Sequence, residues 1–209
     1  MNVYSKYVKK VMDITIASVA VVFIAPVLLL LYILIRLDMG SPVIFKQKRV
    51  GKNGKPFYML KFRSMTDEKT PDGKLLPDKF RITTIGKLLR KTSLDELPQI
   101  FNIIKGEMSF IGPRPIIDYE LEFLTEQEQR RHEVYPGITG LAQVSGRNNI
   151  SNDTKFIKDV EYVENISFWL DLKIFLLTFP KVLACQDITV VNNTRLDLTR
   201  KNDDNKDKK

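Results

Sequence analysis

The most uniform stretch of the chain is apolar. From Ile14 to Ile35, "ITIASVAVVFIAPVLLLLYILI", no charged residue interrupts it, which matches the roughly 20 residues a helix needs to cross a bilayer. Pro26 stands near its middle. Proline offers no N–H to the carbonyl four residues earlier, here Val22, and its ring presses on that carbonyl, so the pattern predicts a helix broken at this point. After Gly40 the pattern changes to alternation. "GSPVIFKQKRVGKNGKPFYMLKFRSM" places apolar residues at every second position on either side of Gly51 to Gly54, which predicts a β-hairpin. Residues 66–79 are polar and contain Pro71, Gly73 and Pro77, as in a mobile loop. From Thr83 the period is helical, and Leu94, Leu97, Phe101 and Ile104 fall on one face. A glutamate-rich helix is predicted from Ile116 to about His132. "SFWLDLKIFLLTFPKVLA" carries Trp169, Phe175 and Phe179 with Lys173 and Lys181; this pattern fits a helix lying in a membrane interface and equally a buried core helix. The charged end, "RKNDDNKDKK", lacks the aromatic residues a core needs and is expected to be disordered.

These elements describe an α+β, mostly helical protein. Residues 1–40 form a membrane helix with its flank, 41–190 a helical domain at the membrane surface with a small β-hairpin and amphipathic interfacial helices, and 191–209 a charged tail. The flanks of the apolar segment address its topology. Lys6, Lys9 and Lys10 precede it, and Arg36, Lys46, Lys48 and Arg49 follow. Because cationic residues favour the cytoplasmic side, both ends prefer that side. The sequence therefore favours a re-entrant helix bent at Pro26, against the alternative of an ordinary spanning helix with a tolerated proline. A cleaved signal is disfavoured, since Arg36, Leu37 and Asp38 stand where small residues should be.

Composition narrows the chemistry. The 209 residues carry a formal net charge of +8, which suits a partner rich in negative charge: nucleic acid, anionic lipid or a phosphorylated metabolite. One cysteine, Cys185, and one histidine, His132, exclude an internal disulfide, a thiolate zinc site and most triads. Any reaction must therefore rest on carboxylates and cations.

The stretch "RKTSLDELPQIFNIIKGEMSFIGPRP" offers both. Ser93 or Thr92 can cap a helix start, which places Asp95 and Glu96 in a first turn whose dipole favours ionised acids. An ionised, rigidly held aspartate can attack phosphorus, while a neighbouring carboxylate can hold a magnesium ion that neutralises phosphate oxygens. The plainer reading is a capping box, Ser-x-x-Glu; Pro98 leaves the register open between Ser93 and Asp95 as cap. The cations surrounding the pair favour chemistry. Arg114 lies between two prolines in "GPRP", with little backbone entropy to lose on gripping a phosphate. Lys61 and Arg63 in "LKFRSM", Arg90, and Arg147 in "SGR" are further candidates, and the glycine-containing run "YPGITGLAQVSGR" could bring backbone N–H groups to a diphosphate.

Taken together and in this order, an apolar N-terminus, "LKFRSM", "TSLDELPQIFNIIKGEMSFIGPRP" and "YPGITGLAQVSGR" resemble the bacterial sugar transferases, the small monotopic phosphoglycosyl transferases. The resemblance runs from about Lys6 to Asp187. It implies Mg2+-dependent transfer of a sugar phosphate from a UDP-sugar to polyprenyl phosphate on the cytoplasmic face of the bacterial inner membrane. By position it implies Asp95 as the nucleophile and Glu96 as a magnesium ligand beside it. Arg114 and Arg147 would hold phosphates or uridine, with Lys61, Arg63 and Arg90 as weaker assignments. Asp159 and Asp171 match acidic positions of the family without an evident role. The family often has serine before the membrane proline, where this chain has Ala25. A competing class is a non-enzymatic, membrane-anchored basic protein binding anionic lipid or nucleic acid. It does not explain two acids among so many cations, and no nucleic-acid-binding signature accompanies the charge, so no nucleic-acid partner is expected. Neither the sugar nor the oligomeric state is encoded in any of these motifs.

Overall fold

The computed structural model describes residues 3–146 and 149–183. A π-helical turn at Tyr4–Val8 leads into helix α1 (Lys9–Met39), 31 residues long and so roughly 46 Å in length. α1 is long and apolar enough to cross a membrane. Asp13, Ala17, Leu31 and Ile35 are buried, and Ala20, Val21, Ile24 and Leu28 pack partly buried between them. Spacings of three and four put these residues in one stripe. Its first half packs on Phe57, Met59, Ile100, Ile103 and Met108, its second on Val43, Phe62 and Leu89. α1 therefore rests on the rest of the chain along its whole length. Its other face is bare, with Val22, Phe23, Leu29 and Leu37 exposed.

The break expected at Pro26 does not form: α1 runs without interruption through it. A proline inside a helix costs about 3 kcal/mol, and here Ile24 and Leu28, on either side of it, each seat on a core cluster, one toward either end of the helix. That burial offsets the lost hydrogen bond.

Strands β1 (Ile44–Val50) and β2 (Pro56–Phe62) form the predicted antiparallel hairpin, with Lys48 opposite Tyr58. Its turn uses left-handed backbone at Asn53 (φ 55°) and Gly54 (φ 73°), which Asn and Gly tolerate best. Two isolated bridges, Met65 to Ile82 and Lys69 to Leu75, cross the polar segment that follows, before α2 (Asp78–Arg81) and α3 (Thr84–Thr92). Thr83 caps α3, accepting from the Gly86 N–H at 2.9 Å.

Leu94, Leu97, Phe101 and Ile104 do not share one buried face. Leu94–Gln99 is a 3-10 helix, followed by the short α4 (Ile100–Ile104). A 3-10 turn advances about 120° per residue and so shifts the phase. Ile100 and Ile103 are buried instead, and Phe101 is 41% exposed. Nor is there one helix from Ile116 to His132. That segment consists of 3-10 turns at Asp118–Phe123 and Arg130–Glu133 flanking α5 (Glu126–Gln129). Thr125 starts afresh with a capping box to Glu128, which ends any helix arriving from upstream.

Two three-residue strands had no signal in the sequence: β3 (Ser109–Ile111) and β4 (Gly137–Thr139), paired in parallel. They bring glycine backbones together. A Cβ on Gly137 would lie 2.1 Å from the Gly112 nitrogen, and one on Gly140 2.2 Å from the Gly112 oxygen, so only glycine fits at this crossing.

The chain continues through α6 (Leu141–Ser145), α7 (Asn152–Asn165) and α8 (Phe168–Leu183). α8 is amphipathic in an inverted sense. It buries Asp171 and Ile174 and exposes Trp169 (74%), Leu176 and Phe179. Asp171 Oδ2 accepts from Lys9 Nζ at 2.6 Å and from the Tyr4 hydroxyl at 2.7 Å, and its Oδ1 lies 2.7 Å from the Tyr162 hydroxyl. Asp171 thus clamps the start of α1 to α7 and α8. Asp171→Ala leaves Lys9 buried without its closest partner. It is expected to cost about 3 kcal/mol or more, read as a lowered unfolding midpoint in detergent and as new tryptic cleavage at Lys9 and Lys10. The tail at 191–209 and Cys185 lie outside the described residues.

Candidate active site

Four separate segments build the site. β2 supplies Lys61, α3 supplies Arg90, the 3-10 turn supplies Asp95 and Glu96, and the turn after β3 supplies Arg114. Ser93 adopts left-handed backbone, φ 58°, and turns the chain sharply between α3 and the acidic pair. The capping box does not form. The Glu96 N–H donates to the Ser93 carbonyl at 3.2 Å, as a 3-10 turn requires, and no side chain caps the turn. Glu96 Oε1 instead accepts from Lys61 Nζ and from Arg114 Nη2, each at 2.8 Å.

The two acids consequently differ. Burial would raise the Glu96 carboxyl, but Arg114 and Lys61 hold it well below the usual carboxylate range. Asp95 is buried, and among the described residues no side chain hydrogen-bonds its carboxylate. Burial first, and then the charge of Glu96, push Asp95 up to about 6, against the pull of Lys61, Arg90 and Arg114. The expectation that both acids stay ionised therefore needs correction at Asp95 below about pH 6, because desolvation outweighs the dipole of one short turn. With its carboxyl pushed up to about 6, Asp95 keeps its charge at neutral pH, is poorly solvated and has no hydrogen-bonded partner among the described residues, which suits a carboxylate nucleophile.

The remaining candidates are placed as follows. Arg90 Nε donates to Ser64 Oγ at 2.9 Å, and its charge reaches Asp95. Arg63 donates to the carbonyls of Met65 and Ser41 and to Asp67, at 3.0, 3.1 and 2.6 Å; these bonds tie the chain after α1 to the hairpin. Arg147 lies outside the described residues. The glycine run does not offer all its amides to a ligand, since the Gly137 N–H donates to the Pro113 carbonyl at 2.9 Å.

Sequence reading passed over Arg131 and treated Arg49 only as a flanking charge. Arg131 is 3% exposed and reaches both Asp159 and the Arg114 carbonyl. Arg49 donates to the Pro115 carbonyl at 3.1 Å. Only burial distinguishes them from surface arginines, and no motif reports burial.

For a divalent cation the residues fit. Two adjacent carboxylates, one without a hydrogen-bonded partner and destabilised by the other, match the one or two carboxylates that hold Mg2+ beside substrate phosphates. Among the described residues no cluster of three or more metal-ligating side chains exists, so substrate and water would complete the shell.

Comparison with known proteins places the chain in a family. The chain is 50% identical over 185 residues to an uncharacterised sugar transferase, EpsL, of Bacillus subtilis, covering 88% of this chain and 92% of that one. It is 39% identical over 191 residues to the exopolysaccharide production protein ExoY of Rhizobium meliloti, covering 83% and 84%. To a UDP-glucose:undecaprenyl-phosphate glucose-1-phosphate transferase of Klebsiella pneumoniae it is 41% identical over 191 residues, 87% of this chain but only 41% of that longer relative. The family model for bacterial sugar transferases matches residues 4–185, which takes in the acidic pair, the GPRP turn and the helix clamped by Asp171. With that span and those identities, this chain belongs to the bacterial sugar transferase family.

Proposed function

We propose that this chain transfers a sugar-1-phosphate from a UDP-sugar to polyprenyl phosphate, the undecaprenyl carrier, and releases UMP. The carrying observation is the asymmetry of the acidic pair: Glu96 is locked between Lys61 and Arg114, while Asp95 beside it is buried and uncommitted. Relatives are named as a UDP-glucose:undecaprenyl-phosphate transferase and a UDP-galactose-lipid carrier transferase, which supports this substrate class.

In the first half-reaction an Asp95 carboxylate oxygen attacks the sugar-bearing phosphorus. The bond from that phosphorus to the bridging oxygen breaks, and UMP departs with the electron pair. The sugar phosphate is then held on Asp95 as a mixed carboxylic-phosphoric anhydride. In the second, an oxygen of polyprenyl phosphate attacks the same phosphorus, forming polyprenyl-diphosphate-sugar and freeing the Asp95 carboxylate. Lys61, Arg90 and Arg114 hold the phosphate oxygens and reduce the repulsion between anion and anion. Asp95 and Glu96 would hold a Mg2+ ion, which would supply further charge neutralisation to the diphosphate. Screening UDP-sugars for UMP release with polyprenyl phosphate present tests the reaction; release from none of them overturns it.

A lipid substrate requires a site at the membrane, and the bare faces of α1 and α8 support this reading. α1 is seated along its whole length on a domain with many charged side chains, so a perpendicular crossing would draw that domain into hydrocarbon, at prohibitive cost for its charges. Both ends of α1 then lie on the cytoplasmic face of the inner membrane, with the unbroken helix lying along that face and its bare side sunk into one leaflet. With Cys185 replaced, cysteines at Asn2 and Ser41 are expected to react with an impermeant reagent from that side only; labelling from opposite sides returns α1 to a simple span. The product would feed glycoprotein, capsule, lipopolysaccharide or exopolysaccharide assembly.

A further inference from the structure

The turn that carries Arg114 is held with unusual completeness. Four successive carbonyls, from Pro113 to Ile116, each accept a hydrogen bond from a residue remote in sequence, and the four donors come from three separate segments. Pro113 accepts from the Gly137 N–H at 2.9 Å and Ile116 from the Val50 N–H at 3.0 Å. Between them, the Arg114 carbonyl accepts from Arg131 Nη2 at 2.6 Å and the Pro115 carbonyl from Arg49 Nη1 at 3.1 Å. The prolines on either side of Arg114 fix two more backbone angles. The Arg114 side chain is half exposed and reaches Glu96 from this fixed base.

Arg131 is expensive to keep where it is. Its side chain and that of Asp159 are 3% and 4% exposed. Its Nε and Nη2 lie 3.1 and 2.7 Å from Asp159 Oδ2, and its guanidinium carbon 5.2 Å from the centre of the Phe156 ring. Arg131 Nη1 and Asp159 Oδ1 are buried without a hydrogen-bond partner. A buried ion pair of this kind is often no more stabilising than apolar residues of the same volume. An apolar pair could join α7 to the turn at Arg130–Glu133, but it could not donate to the Arg114 carbonyl. The planar fork of arginine serves Asp159 and that carbonyl at once, which one lysine ammonium could not do in the same geometry.

We propose that Arg131, oriented by Asp159, and Arg49 are positioning residues for Arg114. They act on its backbone, so that the guanidinium meets both Glu96 and the substrate diphosphate; the inference rests on the reading of Arg114 as a phosphate-binding group. This gives Asp159 a role: it holds the residue that holds the phosphate-binding arginine.

The test is a pair of double-mutant cycles with Arg114→Ala, read as UMP release by the full chain in detergent or nanodiscs. Arg131→Lys is expected to lower kcat/KM for the UDP-sugar about 100-fold, as for a misplacement of about 1 Å. In the Arg114→Ala background the same change should cost less than about threefold, because residues acting as one unit are not additive. A full, multiplicative loss in both backgrounds means general damage and overturns the proposal. Arg49→Lys, in its own cycle, carries the same expectation and decides the matter should Arg131→Lys not fold. Hydrogen exchange over residues 112–116 is measured on the same proteins and is expected to quicken in Arg131→Lys; unchanged exchange overturns the positioning role. No UMP release by the wild-type chain would overturn the reaction, and the exchange result alone would then judge the positioning.

Discussion

Asp95→Asn is expected to lose UMP release by about 10⁴-fold or more and at the same time to give a more stable protein. The first half follows from the chemistry, since asparagine keeps the shape of the side chain but has no carboxylate to attack phosphorus. The second follows from linkage. In the folded chain Asp95 is raised from 3.8 to about 6, so the fold binds this proton more tightly than the unfolded chain does. Its contribution to stability is fully present below about pH 3.8 and is lost as pH rises through about 6. At neutral pH wild-type Asp95 is therefore a liability of about 3 kcal/mol, which Asn removes. A higher unfolding midpoint at pH 7, with the gap closing toward pH 4, is the expected record; an equal or lower midpoint at pH 7 contradicts the burial argument. Activity should fall in parallel as wild-type enzyme is acidified through about pH 6. With a UDP-sugar labelled in its sugar, wild-type protein is expected to retain label after denaturation and the Asn variant to retain none. Label on the variant overturns Asp95 as nucleophile.

Glu96→Gln should damage both fold and activity. The carboxylate joins two cations, and its loss leaves Lys61 and Arg114 facing one another without an anion between them. Breaking a buried pair by removing one partner costs about 3 to 5 kcal/mol. Arg114 is half exposed, and solvent screens its share, so about 2 to 3 kcal/mol is the expected loss. The sign with pH is opposite to that of Asp95. The folded carboxyl of Glu96 is depressed, so its contribution is present above about pH 4.5 and is lost only as pH falls below the usual carboxylate range. The gap in midpoint from wild type should change between pH 5 and pH 7 for Asp95→Asn, and hardly at all for Glu96→Gln, which is less stable than wild type at both. UMP release should drop about 10³-fold, from the freed Arg114 and from loss of the carboxylate proposed to hold magnesium. A Gln variant as active as wild type would remove Glu96 from the site.

How far the site could be read from sequence depended on the kind of signal. Local patterns were reliable: the hairpin follows from alternation around Gly51 to Gly54, and α8 from the spacing of its aromatic residues. Phase was less so. Pro98 and Ser93 together impose a 3-10 turn, and a 20° error per residue is enough to exchange Phe101 for Ile100 and Ile103 in the core. β3 and β4 are too short to show any period, yet their pairing brings "IGPRP" against "YPGITG".

The sequence by itself determined the reagents. It placed two adjacent acids among cations in an order that few chains share, beside a segment apolar enough for lipid. Tertiary structure decided which acid is which. Asp95 and Glu96 are neighbours with the same charge, and nothing local separates them. Among the described residues, Lys61 from β2 and Arg114 from the turn after β3, both remote in sequence, claim Glu96 and leave Asp95 desolvated and without a hydrogen-bonded partner. Tertiary structure likewise carried α1 unbroken through Pro26, because the surface on which a helix can rest is assembled from the whole chain. Residue type and spacing are local properties. Burial and long-range pairing, which set a carboxylate's proton affinity and a helix's seat, are not.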